Sequence, residues 1–182
     1  FDKKIHVIYN PIKDIYLDEK VKKNNRFLYV GRANDPIKRI NLVRESLLKI
    51  ENGLKEIKIC GSQNPGFGNY LGVISDENLN KIYNESKYVL LPSKAEGIGL
   101  PMIEAMICGS IPITCSDNLT AKEFSPIEFT CEPDPALIKK KIEELDEKYI
   151  HFRKIALGYG EKYKNQFNKK NIAKNIIDIF NK

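Results

Sequence analysis

The sequence predicts an α/β domain in which a mostly parallel sheet is flanked by helices. Two observations lead there. Short apolar runs of strand length alternate with segments whose apolar residues recur at helical spacing. The residues with special backbone or charge roles fall in the loops after those runs, where open parallel sheets bind ligands. At 182 residues the chain suits one domain with a sizeable core, so the expected architecture is a single Rossmann-like unit.

In chain order, Ile5-His6-Val7-Ile8-Tyr9-Asn10 reads as a short strand ended by Pro11, with His6 a structural strand residue. Residues 12–25 are polar and read as a surface loop. Arg26–Val30 is a strand ending at Gly31, and Ile40, Val43, Leu47 and Ile50 keep helical spacing in a helix expected over about 37–51. Leu54–Cys60 is the next strand and Tyr70–Ile74 a short one. The glycines at 66, 68 and 72 do not make a dinucleotide loop, because no strand precedes them directly and no helix opens from them. Ser75 caps a helix carrying Leu79, Ile82 and Tyr83. Tyr88–Leu91, Ile111–Cys115 and Ile127–Thr130 are further strands. Helices are expected at about 135–148 and 150–165, with a terminal apolar-striped helix within 168–182.

The stretch from Leu90 to Met106 organises the chain. A strand runs into the loop Pro92–Gly99, and a helix follows with Pro101 at its expected first position, where a missing N–H costs nothing. The free N–H groups near Gly99 and Leu100 form an anion site at that helix start, and the glycines admit a close backbone approach. Glu96 in the loop and Glu104 on the helix frame the turn. A carboxylate beside an anion site makes chemical sense if Glu104 accepts hydrogen bonds from neutral hydroxyls, such as a ribose diol, while the amides hold phosphate. A plainer reading also stands: an acid stabilised by the helix dipole, and a solvated loop acid.

Arg32 sits at the end of its strand and Lys38 at the expected helix start, a position the dipole disfavours for a cation. An anion bound there would account for it, with Arg32 clasping phosphate bidentately and Lys38 adding a point charge. Two solvated bases are the plainer alternative.

Glu96-Gly-Ile-Gly-Leu-Pro-Met-Ile-Glu104 resembles the Glu-x7-Glu motif of the family 4 (group 1) retaining glycosyltransferases, which are GT-B enzymes using nucleotide-sugar donors. Gly31-Arg32-x5-Lys38 resembles that family's phosphate-binding pattern, with Arg39 in place of the following Gly. The loop 116–123 lacks the family's glycines. The resemblance implies that Glu96 contacts the transferred sugar and Glu104 the ribose, and that Gly31, Arg32 and Lys38 hold the pyrophosphate. It further implies that backbone groups near Val73 and Ile74 bind the base. Glu96, Arg32 and Lys38 are then the catalytic set, and neither cofactor nor metal is implied.

The resemblance further implies the C-terminal, donor-binding half of a GT-B enzyme. Residues 1–12 would end the interdomain linker, and an N-terminal domain absent from this chain would carry the acceptor site and any peripheral membrane contact. The donor would be a UDP-, GDP- or ADP-sugar, and the isolated domain would be inactive or nearly so. A non-catalytic nucleotide-sugar-binding module and a GT-B nucleotide-sugar epimerase are the alternatives. On this reading Glu96→Gln spares binding of the free diphosphate and weakens only the sugar-bearing ligand.

The net charge of +6 is spread along the chain without a basic stripe interleaved with aromatics, which argues against nucleic acid. No apolar run approaches a membrane span of roughly 18 residues. The four cysteines form no Cys-x-x-Cys pair, which speaks against zinc and for a reducing, cytoplasmic setting. The chain has no signal-like start and does not begin with Met, and is read as an excised or processed fragment.

Overall fold

The structure, a computed structural model, describes residues 5–181. Six strands form one sheet among the described residues: β1 (Asn25–Val30), β2 (Ile57–Cys60), β3 (Asn69–Gly72), β4 (Ser86–Leu91), β5 (Ile111–Cys115) and β6 (Thr130–Cys131). Their order is β3-β2-β1-β4-β5-β6 and every pairing is parallel. The expected fold class is therefore the one observed. β1 and β4 pair at the centre, with Phe27 opposite Tyr88 and Leu28 opposite Val89. Both strands are buried through their middles, which is why each reads as an unbroken apolar run.

The helices are α1 (Ile40–Leu47), α2 (Asp76–Glu85), α3 (Leu100–Ile107), α4 (Leu119–Phe124), α5 (Pro135–Glu147), α6 (Tyr149–Gln166) and α7 (Lys169–Phe180). Local chemistry sets their starts. The Ser75 hydroxyl accepts from the Asn78 amide at 3.3 Å, and Asp76 and Glu77 place negative charge in the first turn of α2. Asp134 caps α5 through the Ala136 and Leu137 amides, with Pro135 at its first position. Asn168 caps α7.

Several expected boundaries move. Residues 5–10 form no strand: Ile5, Val7 and Ile8 are exposed, and the segment pairs with neither sheet edge. It is anchored instead by Tyr9, whose ring packs edge-on against Phe124 and Phe167. The helix expected over 37–51 is broken. Pro36–Lys38 is a single 3-10 turn, Arg39 adopts the left-handed conformation, and only then does α1 begin. β2 starts at Ile57 because Leu48–Glu56 closes as a series of turns. β3 ends at Gly72, leaving Val73 and Ile74 outside the sheet. Pro126 nucleates a 3-10 turn over Ile127–Phe129, so the last strand shrinks to Thr130–Cys131. α3 begins at Leu100, which puts Pro101 second rather than first. Residues 1–4 of the expected linker segment and residue 182 of the terminal helix lie outside the described residues. No helix among the described residues is long and apolar enough to cross a membrane.

α6 backs α3, the helix that follows the central loop. A β-carbon on Gly160 would lie 2.5 Å from backbone atoms of Met106 and Ile107, so the two helices approach as closely as they do only because residue 160 has no side chain. Gly158, two residues away, faces open space. Gly160→Ala should destabilise the fold by about 1–3 kcal/mol through overpacking. Gly158→Ala should stabilise it by up to about 1 kcal/mol through helix propensity. Urea denaturation of the two variants checks the pair, and equal effects would contradict the close approach.

Candidate functional site

The strand order reverses between β1 and β4. From β1 the chain moves outward to β2 and β3, then returns to β4 and moves outward the other way to β5 and β6. The loops leaving the carboxyl ends of β1 and β4 therefore diverge and open a crevice, the usual ligand position in an open parallel sheet. The β1 loop carries Gly31, Arg32 and Lys38, and the β4 loop carries Glu96 and Gly99.

The two loops meet. Lys38 Nζ lies 2.5 Å from Glu96 Oε1, with the side chains only 19% and 20% exposed. The Lys94 amide donates to the Ile37 carbonyl at 2.9 Å, joining the backbones beside that ion pair. Arg32 projects outward, 69% exposed, and pairs with Asp35 at 2.7 Å. Asp35 also caps the 3-10 turn through the Ile37 amide, which holds Lys38 at the end of that turn. Lys38 is thus not at an α-helix start, as the sequence suggested, but one residue before a left-handed break.

Gly99 opens α3 in the left-handed conformation (φ 72°), which a residue with a side chain adopts at a cost. Met102 and Ile103 donate back to the Gly99 carbonyl, and Pro101 has no N–H. The amides of Gly99 and Leu100 are left outside the helical ladder, at its positive end.

Glu104 sits differently from Glu96. It lies on the second turn of α3, is 8% exposed, and accepts a hydrogen bond from the Tyr83 hydroxyl at 3.2 Å. Burial pushes its carboxyl up to about 7, and the Tyr83 hydrogen bond opposes this only in part. Asp76 and Lys13, themselves paired at 2.5 Å, lie near enough to act on its charge. Because Asp76 begins α2 directly after the connection containing Val73 and Ile74, Glu104 belongs to the β3–α2 side of the crevice and Glu96 to the β1 side. Val73 is exposed and Ile74 half-buried.

Sequence reasoning missed the residues that tie the loops together. Arg39, left-handed at φ 51°, makes a bidentate pair with Asp117 at 2.9 and 2.5 Å. That pair holds the Asp117 carboxyl below the usual carboxylate range. Asn118 caps α4 with its oxygen and donates through Nδ2 to the Ser93 carbonyl at 2.9 Å, and Thr120 donates to the Glu96 carbonyl at 2.7 Å. An Asn directly before a helix-forming run is a recognisable N-cap signal and could have marked the start of α4. Nothing in sequence spacing points from Arg39 to Asp117. Tyr29, under Gly31, was also missed: its hydroxyl is buried and has no hydrogen-bond partner among the described residues. Glu123, by contrast, is a surface acid of α4 that accepts from Tyr9 at 3.1 Å. Among the described residues no group of three or more His, Cys, Asp or Glu could hold a metal ion.

A sequence profile described as "Glycosyl transferases group 1" matches residues 68–157, about half of the chain, including the whole Glu96–Glu104 segment. The chain belongs to the group 1 glycosyl transferase family. Gly31, Arg32 and Lys38 lie outside the matched range. The chain is similar to an O-antigen chain mannosyltransferase B of Escherichia coli, 30% identical over 118 residues, covering 63% of this chain and 30% of that protein. It is also similar to a putative glycosyltransferase of a Sulfolobus islandicus filamentous virus, 32% identical over 129 residues, covering 67% and 38%. The chain spans about a third of the length of these curated relatives. Among solved structures, Anabaena HepE in complex with UDP and glucose superposes with a TM-score of 0.80 at 16% identity, over 97% of this chain and 56% of that one. The sucrose-phosphate synthase of Thermosynechococcus elongatus superposes with a TM-score of 0.73 at 19% identity, over 95% and 49%. These superpositions establish the fold that the group 1 member shares with GT-B glycosyltransferases.

The Glu104 carboxyl makes a pH-dependent prediction for this group 1 domain. Its folded-state value lies above the ordinary 4.5, so its protonated form is favoured by folding. That contribution is fully present below about pH 4.5 and is lost as pH rises through about 7. Glu104→Gln should therefore be about 2–3 kcal/mol more stable than wild type at pH 8 and little different at pH 5. Denaturation at the two pH values measures this, and a pH-independent difference would show that burial does not hold the proton.

Proposed function

We propose that the chain is the donor-binding, C-terminal half of a retaining glycosyltransferase that moves a sugar from a nucleoside-diphosphate sugar to an acceptor. The observation that carries the reading is the Lys38–Glu96 contact across the crevice at the strand-order reversal, beside the amides of Gly99 and Leu100. A cation suited to a diphosphate and a carboxylate suited to sugar hydroxyls lie side by side there, which supports the reading. The complexes of HepE with UDP and UDP-glucose support a nucleotide-sugar ligand for this fold.

On this reading Lys38, Arg32 and the two amides stabilise the charge that develops on the diphosphate as the glycosidic bond breaks. Glu96 orients the sugar, Glu104 accepts from the ribose diol, and the backbone at Val73 and Ile74 meets the base. The reading assigns the diphosphate to Arg32, Lys38 and the helix start, drawn from their pairs with Asp35 and Glu96, and includes no metal. Residues 1–12 end the linker to an N-terminal domain. That domain would supply the acceptor site and any membrane contact, which leaves this chain alone nearly inactive. The setting proposed is the cytoplasm.

The ion pair alters one expectation. Glu96 competes with phosphate for Lys38, so Glu96→Gln should tighten binding of the free diphosphate while weakening the sugar-bearing ligand relative to it. Lys38→Ala and Arg32→Ala should each weaken the diphosphate by about 1.5–3 kcal/mol, with Arg32 at the lower end because it is exposed, and leave the nucleoside unchanged. Calorimetric titration with UDP, GDP and ADP, their sugars and the parent nucleosides tests the set. Equal losses for nucleoside and diphosphate would remove the phosphate assignment. Donor binding without transfer in the full-length protein would favour a non-catalytic module.

A further inference from the structure

Three loops converge behind the Lys38–Glu96 pair, and each is held by a side chain with no evident part in ligand contact. Arg39 follows Lys38 in the chain and occupies the left-handed region at φ 51°, a conformation that a long side chain keeps only where its surroundings over-determine it. What over-determines it is the bidentate pair with Asp117, at 2.9 and 2.5 Å, in the loop after β5. The same loop reaches the β4 loop through Asn118, which donates to the Ser93 carbonyl at 2.9 Å, and α4, which follows it, does so through Thr120 to the Glu96 carbonyl at 2.7 Å. The β5 loop and the start of α4 therefore grip the residue next to Lys38 on one side and the backbone of Glu96 on the other.

We propose that Arg39, Asp117 and Thr120 are positioning residues that fix the separation of Lys38 and Glu96, and with it the fit of the crevice to a diphosphate. This rests on the donor-binding reading above. The geometry gives it a distinctive signature, because the two members of the Arg39–Asp117 pair carry opposite charges. If they acted only through their field on an anion, removing Arg39 would weaken diphosphate binding and removing Asp117 would strengthen it. If they act by holding the loops, removing either weakens it, and removing both is no worse than removing one. A merely structural role would change stability and leave binding alone. Arg39→Gly is a suitable probe because glycine relaxes the left-handed backbone, so loss of binding cannot be put down to new strain.

The test titrates the 182-residue chain and its variants with UDP, GDP and ADP, with the parent nucleosides as controls and melting temperature monitored throughout. Arg39→Gly and Asp117→Ala should each weaken whichever diphosphate the wild type binds by about threefold or more. The nucleoside should be unaffected and the double variant no weaker than the weaker single. Thr120→Val should weaken the diphosphate and Thr120→Ser restore it. Opposite signs for Arg39→Gly and Asp117→Ala would overturn the proposal in favour of a field effect. Unchanged affinities in folded variants would overturn it outright. A wild type that binds no diphosphate, or a Lys38→Ala variant that binds as wild type does, would instead strike the donor-binding reading and take this proposal with it.

Discussion

Parallel pairing of β1 with β4 is the constraint on which the site depends. The chain cannot pass directly from one parallel strand to the next, so each connection crosses a face of the sheet. Because β2 and β3 are laid down on one side of β1 and β4 to β6 on the other, the connections after β1 and β4 leave in opposite directions. Backbone that would elsewhere fill the gap is absent there. Register then does the rest: with Phe27 opposite Tyr88 and Leu28 opposite Val89, the strands end at nearly the same height, and Lys38 meets Glu96 although 58 residues separate them.

The same arrangement leaves ionisable groups in places that burial disfavours. Glu104 faces the Tyr83 hydroxyl, while Lys23, at the opposite end of the strands, donates to the Tyr83 and Cys108 carbonyls and the Ser110 hydroxyl. Burial lowers the Lys23 ammonium to about 8 and raises the Glu104 carboxyl to about 7, so each charge is held at a cost. The two cases differ in kind. Lys23 has three acceptors for its three protons and binds the ends of α2 and α3 to each other, a complete structural role. Glu104 has one donor for two oxygens. That leaves acceptor capacity that the proposed ribose contact would use.

Much of this was legible in the sequence, for identifiable reasons. Strands buried on both faces write continuous apolar runs, so β1, β4 and β5 were found. Caps write themselves locally, so Ser75 and Pro135 gave the starts of α2 and α5. What could not be read depends on partners distant in sequence. Ile5–Tyr9 has strand composition, yet it joins neither sheet edge, and its Tyr9 docks on Phe124 and Phe167 instead. Arg39 has ordinary helix propensity, and its left-handed backbone is explained by Asp117, 78 residues away. Ile127–Phe129 is apolar enough for a strand, but Pro126 turns it first. At the site, spacing located Arg32, Glu96 and Glu104 in the loops and helix they occupy, but put Lys38 at the start of a helix that begins only after it. It gave no sign that Glu96 would be paired and Glu104 buried.

Three bases of the crevice are each paired with an acid: Arg32 with Asp35, Lys38 with Glu96, and Arg39 with Asp117. A net charge of +6 for the chain is therefore no measure of the potential that an anionic ligand meets here. Pairing has two opposed effects. It makes the ligand compete with a carboxylate already in place, which lowers affinity. It also holds long, flexible side chains in one geometry before the ligand arrives, so less conformational freedom is lost on binding. The pairs differ in how they settle this balance. Arg32–Asp35 is exposed and weakly held, so Arg32 can change partners at little cost. Arg39–Asp117 is bidentate and anchors two loops, so exchange there would loosen the site itself. Lys38–Glu96 lies between these cases, largely buried yet made by two groups to which the proposed function assigns different parts of the ligand. On the donor-binding reading proposed above, a diphosphate that draws Lys38 away leaves Glu96 without its counter-charge, next to where a sugar would lie. Sugar hydroxyls are then the donors that can satisfy that carboxylate, and binding of the phosphate and orientation of the sugar become parts of one event.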